Sequence, residues 1–196
     1  MVGSANVVRR RVLGALAVLA APAFLHARAQ GSTRVPPEVD AELPNAQRLG
    51  SGRLSFMLLH VYDARLWVRD GFNAADFAKA PLALELEYAR TLYGGLIADR
   101  SLAEMRRSAD LADITDDKAQ RWLAVMKQLF VDVHQGDRIT GVQVPGVATR
   151  IFVNGRLRGE VRDAEFTRLF FGIWLSPSTS EPALRDALLG LARAAS

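Results

Sequence analysis

Cysteine is absent from all 196 residues, which excludes disulfides, thiolate metal sites and cysteine nucleophiles together. Histidine is nearly as scarce. Beyond residue 29 only His60 and His134 remain, too few to build a Ser-His-Asp arrangement or a His-rich metal site with any freedom. The signatures of dinucleotide folds, P-loops, zincins, hydrolase elbows and EF-hands are missing as well. Neither a metal nor a cofactor is expected. The one long apolar run, Val12 to Leu25, contains Pro22 and at 14 residues falls short of the roughly 20 that span a bilayer. No permanent membrane span is expected in the chain that follows it.

Acids are missing from the amino-terminal stretch: the first is Glu38, whereas Arg9, Arg10, Arg11 and Arg28 all precede Gln30. A basic start, an apolar middle and the small-x-small triplet Ala27-Arg28-Ala29 predict a cleaved export signal over residues 1–29, with cleavage after Ala29. Arg9-Arg10-Arg11-Val12-Leu13 also resembles a twin-arginine signal, the general secretory route being the alternative. Both lead to a bacterial envelope compartment, so a soluble periplasmic protein is expected. Losing the leader changes the electrostatics too. Four of the 25 bases leave with it, so 21 bases face 21 acids and the mature net charge is zero. The isoelectric point near 9.9 therefore belongs to the leader and gives no support to a nucleic-acid partner.

What is present is enough apolar material for a core, 49% of residues, arranged with readable periodicities. Residues 30–44, with three prolines from Pro36 to Pro44, read as an extended lead-in, and 45–196 as one domain. Arg48 to Val68 lacks proline and is rich in Leu, Val, Phe, Tyr and Trp, which predicts two strands or one bent strand. Gly50 and Gly52 there mark a bulge or a close backbone approach. After an Asp70-Gly71 turn, Phe72 to Ala80 is a short helical excursion stopped by Pro81. Leu82, Leu84, Leu86 and Tyr88 then alternate with Ala83, Glu85, Glu87 and Ala89, a half-buried strand.

From Gly94 to Ala109 the period changes to that of a helix, with Ala98, Leu102, Met105 and Ala109 on one face. Thr115, followed by Asp116 and Asp117, starts another helix, whose apolar stripe runs through Ala119, Trp122, Leu123, Met126, Leu129 and Phe130. Gly136 to Val144 and Thr149 to Val153 read as strands. Asn154-Gly155 then signals a two-residue hairpin into Arg156 to Val161. Asp163 to Leu175 and Pro182 to Ala194 close the chain as helices. This order predicts an α+β fold in which one antiparallel sheet is covered on one face by helices.

Few residues could hold a ligand. Arg53 follows Gly50-Ser51-Gly52, which places a permanent cation where backbone comes close; an inward guanidinium would take a carboxylate or phenolate, an outward one would be a surface or protein-paired arginine. Arg90 and Arg100 have the same two readings, and Arg100 lies one turn from Glu104, as a helix ion pair would. Tyr62 shares a strand with Arg65 and Trp67 but has the opposite parity, so it faces the other side. His60 in an apolar strand and His134 in a loop read as a packed and a solvated histidine.

Several of these segments, in their order, resemble one family. Leu49-Gly50-Ser51-Gly52-Arg53, Val61-Tyr62-Asp63-Ala64-Arg65-Leu66-Trp67, Leu84 to Arg90, Arg100-Ser101-Leu102-Ala103-Glu104-Met105, Asn154-Gly155 and Phe170-Phe171-Gly172-Ile173-Trp174-Leu175 are similar to the exported bacterial branch of chalcone isomerase-like proteins. The resemblance runs over roughly residues 38–190. It implies an open-faced sandwich, a large antiparallel sheet with helices on one face and a cleft between them, used either to cyclise a chalcone or to hold a fatty acid without chemistry. It also implies that Arg53 corresponds to the family's phenolate-binding arginine. The family's catalytic helix carries Tyr, Lys and Asn, and laid over Leu92 to Glu104 those positions fall near Ile97, Arg100 and Glu104. Only the cation is kept. The expectation is therefore a binder of a small apolar carboxylate or similar amphiphile, with Arg53, Tyr62, Arg90 and Arg100 as ligand-binding residues. An intramolecular lyase on an unknown substrate is the first alternative, and a structural or partner-binding envelope protein the second.

Overall fold

The structure is a computed structural model and describes residues 34–108 and 114–191. The export signal read over residues 1–29 lies outside the described residues, as do Ala109 and residues 192–194 of the last predicted helix; that helix is shorter than predicted, ending at Leu188, after which Gly190 takes a positive φ of 67°. Six strands form one sheet in sequence order: β1 Gln47–Phe56, β2 Leu59–Val68, β3 Leu82–Tyr88, β4 Arg138–Val144, β5 Ala148–Val153 and β6 Arg156–Val161. Every neighbouring pair is antiparallel. The helices are α1 Pro37–Glu42, α2 Gly94–Ser108, α3 Asp116–Leu129, α4 Ala164–Leu175 and α5 Pro182–Leu188, with a 3₁₀ segment at Ala74–Lys79. This is the α+β open-faced arrangement that the periodicities predict.

The local signals work as chemistry requires. Thr115 Oγ1 accepts from the Lys118 amide at the start of α3. Asp163 accepts from the Glu165 and Phe166 amides at the start of α4 and from Trp122 Nε1 of α3. Burial alone would raise the Asp163 carboxyl, but these three donors, with the Lys118 charge, outweigh it and hold the group below the ordinary carboxylate range. Asn154 and Gly155 both take positive φ, 48° and 79°, as a two-residue hairpin demands. Gly50 and Gly52 serve both expected purposes. A bulge falls at Leu49 in the β1–β2 register, and a Cβ on Gly50 would stand 2.2 Å from the Ala187 carbonyl oxygen. Helix α5 therefore packs directly on β1.

One expectation is corrected. The stretch to Pro44 is not simply extended, because Pro37 occupies the first turn of α1, where a missing amide hydrogen costs nothing. Val39 and Leu43 of that helix are buried with Trp67, Ala83, Val142 and Phe152. Helix α1 thus covers part of the sheet face opposite α2 to α5. The larger core lies on the first face, where Ala64, Leu66, Leu84 and Ile151 meet Met105, Trp122, Phe166 and Leu188.

Candidate ligand-binding site

Strands β1 to β4 carry apolar residues toward α2 and α4, and at the end of the sheet nearest the β1–β2 turn the helices do not fill the space. A cavity of about 250 Å³ remains. Its floor is Leu54, Tyr62, Leu86, Tyr88 and Ile139 of the sheet, and its roof is Ile97, Arg100, Ser101 and Glu104 of α2 with Phe170, Ile173 and Trp174 of α4. Ser180 and Glu181, just before α5, close one side. The lining is mostly hydrocarbon, with polar groups on α2, on the Ser180–Glu181 segment and on the two tyrosines of the floor.

Two tyrosines stand on the floor. The Tyr62 hydroxyl accepts a hydrogen bond from Trp174 Nε1 at 2.9 Å, which leaves its own proton free to be donated into the cavity. Burial pushes this phenol up to about 12, the Trp174 bond opposing only part of the rise. Tyr88, with its ring edge-on to Tyr62 at 5.8 Å, is pushed up further still by burial and by the neighbouring Tyr62. Both are neutral near pH 7. On the roof, Arg100 pairs with Glu104 at 2.7 Å; the arginine side chain is 67% exposed and the glutamate 8%. Arg107 Nε lies 3.5 Å from the second carboxylate oxygen of Glu104. The only cation on the lining is thus shared with a protein acid among the described residues.

The four expected ligand residues separate. Tyr62 and Arg100 line the cavity; Arg53 and Arg90 do not. Arg53 is paired in the ladder with Asp63, and the two side chains meet on the far face, Nε to Oδ1 at 2.9 Å, with the Arg53 side chain 61% exposed. Its assignment as ligand anchor is corrected for a geometric reason: the neighbour Leu54, opposite Tyr62, takes the inward position. Arg90 follows β3 in an exposed bend. His60 Nε2 lies 3.3 Å from Asp63 and His134 is a solvated loop residue. Sequence reasoning did not single out Trp174, Tyr88, Ser180 or Glu181. Trp174 and Tyr88 have a signal, the inward parity of β3 and the inward face of α4, whereas the Ser180–Glu181 segment has none.

The residue match reaches from the lead-in to α5: the profile of chalcone isomerase-like proteins covers residues 30–190. The chain belongs to the chalcone isomerase-like family. An uncharacterized protein of Haemophilus influenzae is 26% identical over 144 residues, 74% of this chain and 68% of that one. Among solved structures, the Arabidopsis thaliana fatty-acid binding protein superposes with a TM-score of 0.59 at 12% identity, over 74% of this chain and 87% of that one. At that identity the likeness concerns the fold. Within the chalcone isomerase-like frame, Ile97, Arg100 and Glu104, the positions laid over the family's catalytic helix, all face this cavity.

Proposed function

We propose that this chalcone isomerase-like protein binds a small, chain-like amphiphile in the cavity between sheet and helices, with the apolar part on Leu86, Ile139 and Phe170 and a carboxylate at Arg100. The hollow apolar cavity carries this reading. Its volume, about 250 Å³, lies just below the roughly 300 Å³ at which drug-sized sites begin, so a medium chain fits better than a long one. The fatty-acid binding of the structural neighbour points the same way. A ligand carboxylate would have to compete with Glu104 for the Arg100 guanidinium.

Chemistry is disfavoured at the same place. Cyclising a chalcone needs a cation for the phenolate and donors for the charge that develops on the carbonyl. Tyr62 can donate, but Ile97 cannot, and Glu104 brings an acceptor beside Arg100. The intramolecular lyase is therefore the second reading, supported by the Tyr62 hydroxyl alone. We further propose that the protein is exported to the periplasm with its mature start near Gln30, on the strength of the acid-free leader and Ala27-Arg28-Ala29. Amino-terminal sequencing of exported protein checks it; an uncleaved chain would contradict it.

The test of function is calorimetric titration with decanoate, decanol and a hydroxychalcone, with absorbance followed in parallel. Decanoate should bind best. Arg100→Ala should weaken it about fivefold, a rim charge contributing about 1 kcal/mol, and Glu104→Gln should strengthen it by freeing the guanidinium. Equal binding of decanol and decanoate would overturn the headgroup assignment, no binding of any of them would overturn the cavity reading, and chalcone turnover would establish the lyase.

A further inference from the structure

The β1–β2 turn has an unusual surface. Phe56, Met57, Leu58 and Leu59 follow one another at its tip with exposures from 52% to 101%. Met57 and Leu58 both hold positive φ, 47° and 65°, a two-residue turn that asparagine and glycine favour and that β-hairpins fill with them for that reason. Here the sequence instead spends two large apolar side chains on a left-handed backbone and leaves them in water. Folding gains nothing from either choice.

We propose that this tip docks into the surface of a lipid bilayer. Three observations select a bilayer over a protein partner. No Asp, Glu, Lys or Arg lies between Arg53 and Asp63, and the one titratable group there, His60, stands behind the tip against Asp63, so the four tip residues can enter a headgroup layer without burying an ion. The tip is a convex turn of four side chains, far short of the roughly 20 to 30 residues a side that a stable protein interface uses. The tip is also continuous with the cavity: Leu54 and Val61, just behind it on the two strands, are cavity lining, and so is the exposed Leu96 of α2. A docked tip would bring the mouth against lipid, and an amphiphile could pass between bilayer and cavity with little exposure to water. Docking itself needs no ligand, so it can hold or fail separately from the binding proposed above.

The absence of cysteine allows a site-specific test on the whole chain. An environment-sensitive fluorophore is attached through Leu58→Cys or, at the opposite end of the sheet, through Val147→Cys. Each protein is mixed with vesicles of phosphatidylethanolamine and phosphatidylglycerol, no fatty acid being added. The Leu58→Cys label should shift to the blue and brighten, and the Val147→Cys label should not. A third label, on Ser55→Cys, is read with the native turn and with Met57→Asn/Leu58→Gly. That turn suits the backbone, so the variant should melt no lower than the parent while needing about tenfold more lipid for the same signal. No shift at Leu58→Cys, equal shifts at both ends, or an unchanged lipid requirement in the Asn-Gly variant would each overturn the proposal.

Discussion

The two faces of the sheet are built from alternate residues of the same strands, and they solve burial in opposite ways. On the face toward α1 a charged network lies beside the small apolar cluster under the helix. Arg65 donates to Glu85 at 3.0 Å and to Glu87 at 2.8 Å, Trp67 Nε1 donates to Glu85 at 3.0 Å, and Arg138 reaches Glu85 at 3.2 Å and Glu38 of α1 at 3.5 Å. Arg150 pairs there with Glu42. Charges that are buried demand partners of matching number and direction, so the residues that surround them are constrained in identity and geometry. The face toward α2 to α5 is apolar. Apolar surface has no directional demand, so where the helices diverge it can stay open, and the cavity lies on this side.

The contrast predicts unequal responses to substitution. Glu85→Ala should produce the largest effect: it leaves the buried Arg65 and Trp67 Nε1 short of their acceptor and should cost about 3 to 5 kcal/mol in urea unfolding, while the folded fraction still binds ligand. On the other face, Tyr62→Phe orphans only Trp174 Nε1 and should cost about 1 to 3 kcal/mol. It should also flatten the alkaline arm of the stability curve. A phenol near 10 in the unfolded chain and about 12 in the fold binds its proton more tightly when folded, so stability falls as pH rises from about 10 through 12. Tyr88, raised for the same reason, keeps part of that slope in the variant.

Asp163→Ala, which removes the α4 cap and the Trp122 partner, should cost about 1 to 2 kcal/mol. The wild-type benefit is present above the unfolded carboxylate range and is lost as pH falls through the depressed folded value, so the two proteins should converge in acid. Arg53→Ala should do least: thermal melting and decanoate titration should both match wild type, since the guanidinium is exposed on the face away from the cavity.

Much of this was legible in the sequence because periodicity reports faces. The alternation over Leu82 to Tyr88 and the parity that separates Tyr62 from Arg65 and Trp67 both hold in the sheet, and the Asn154-Gly155 and Thr115 signals fix a turn and a helix start. Arg53 was not legible. Its direction depends on bulges at Leu49 and Val61, each of which shifts a two-residue period by one, and a bulge is set by the partner strand and by the close approach of α5. Helix α1 was hidden for another reason. Six residues are too few to show a helical period, and its docking depends on Glu38 meeting Arg138 and Thr140 about a hundred positions away.

If the open apolar face holds the ligand, filling its space removes binding most directly. Ile97→Trp places an indole ring into the cavity from α2, with the Arg53, Glu85 and α1 side of the sheet untouched. Decanoate titrated calorimetrically into wild type and into this variant should give binding heat with the first and none with the second, at equal or higher melting temperature for the variant. Undiminished binding to Ile97→Trp would place the ligand elsewhere and contradict the account.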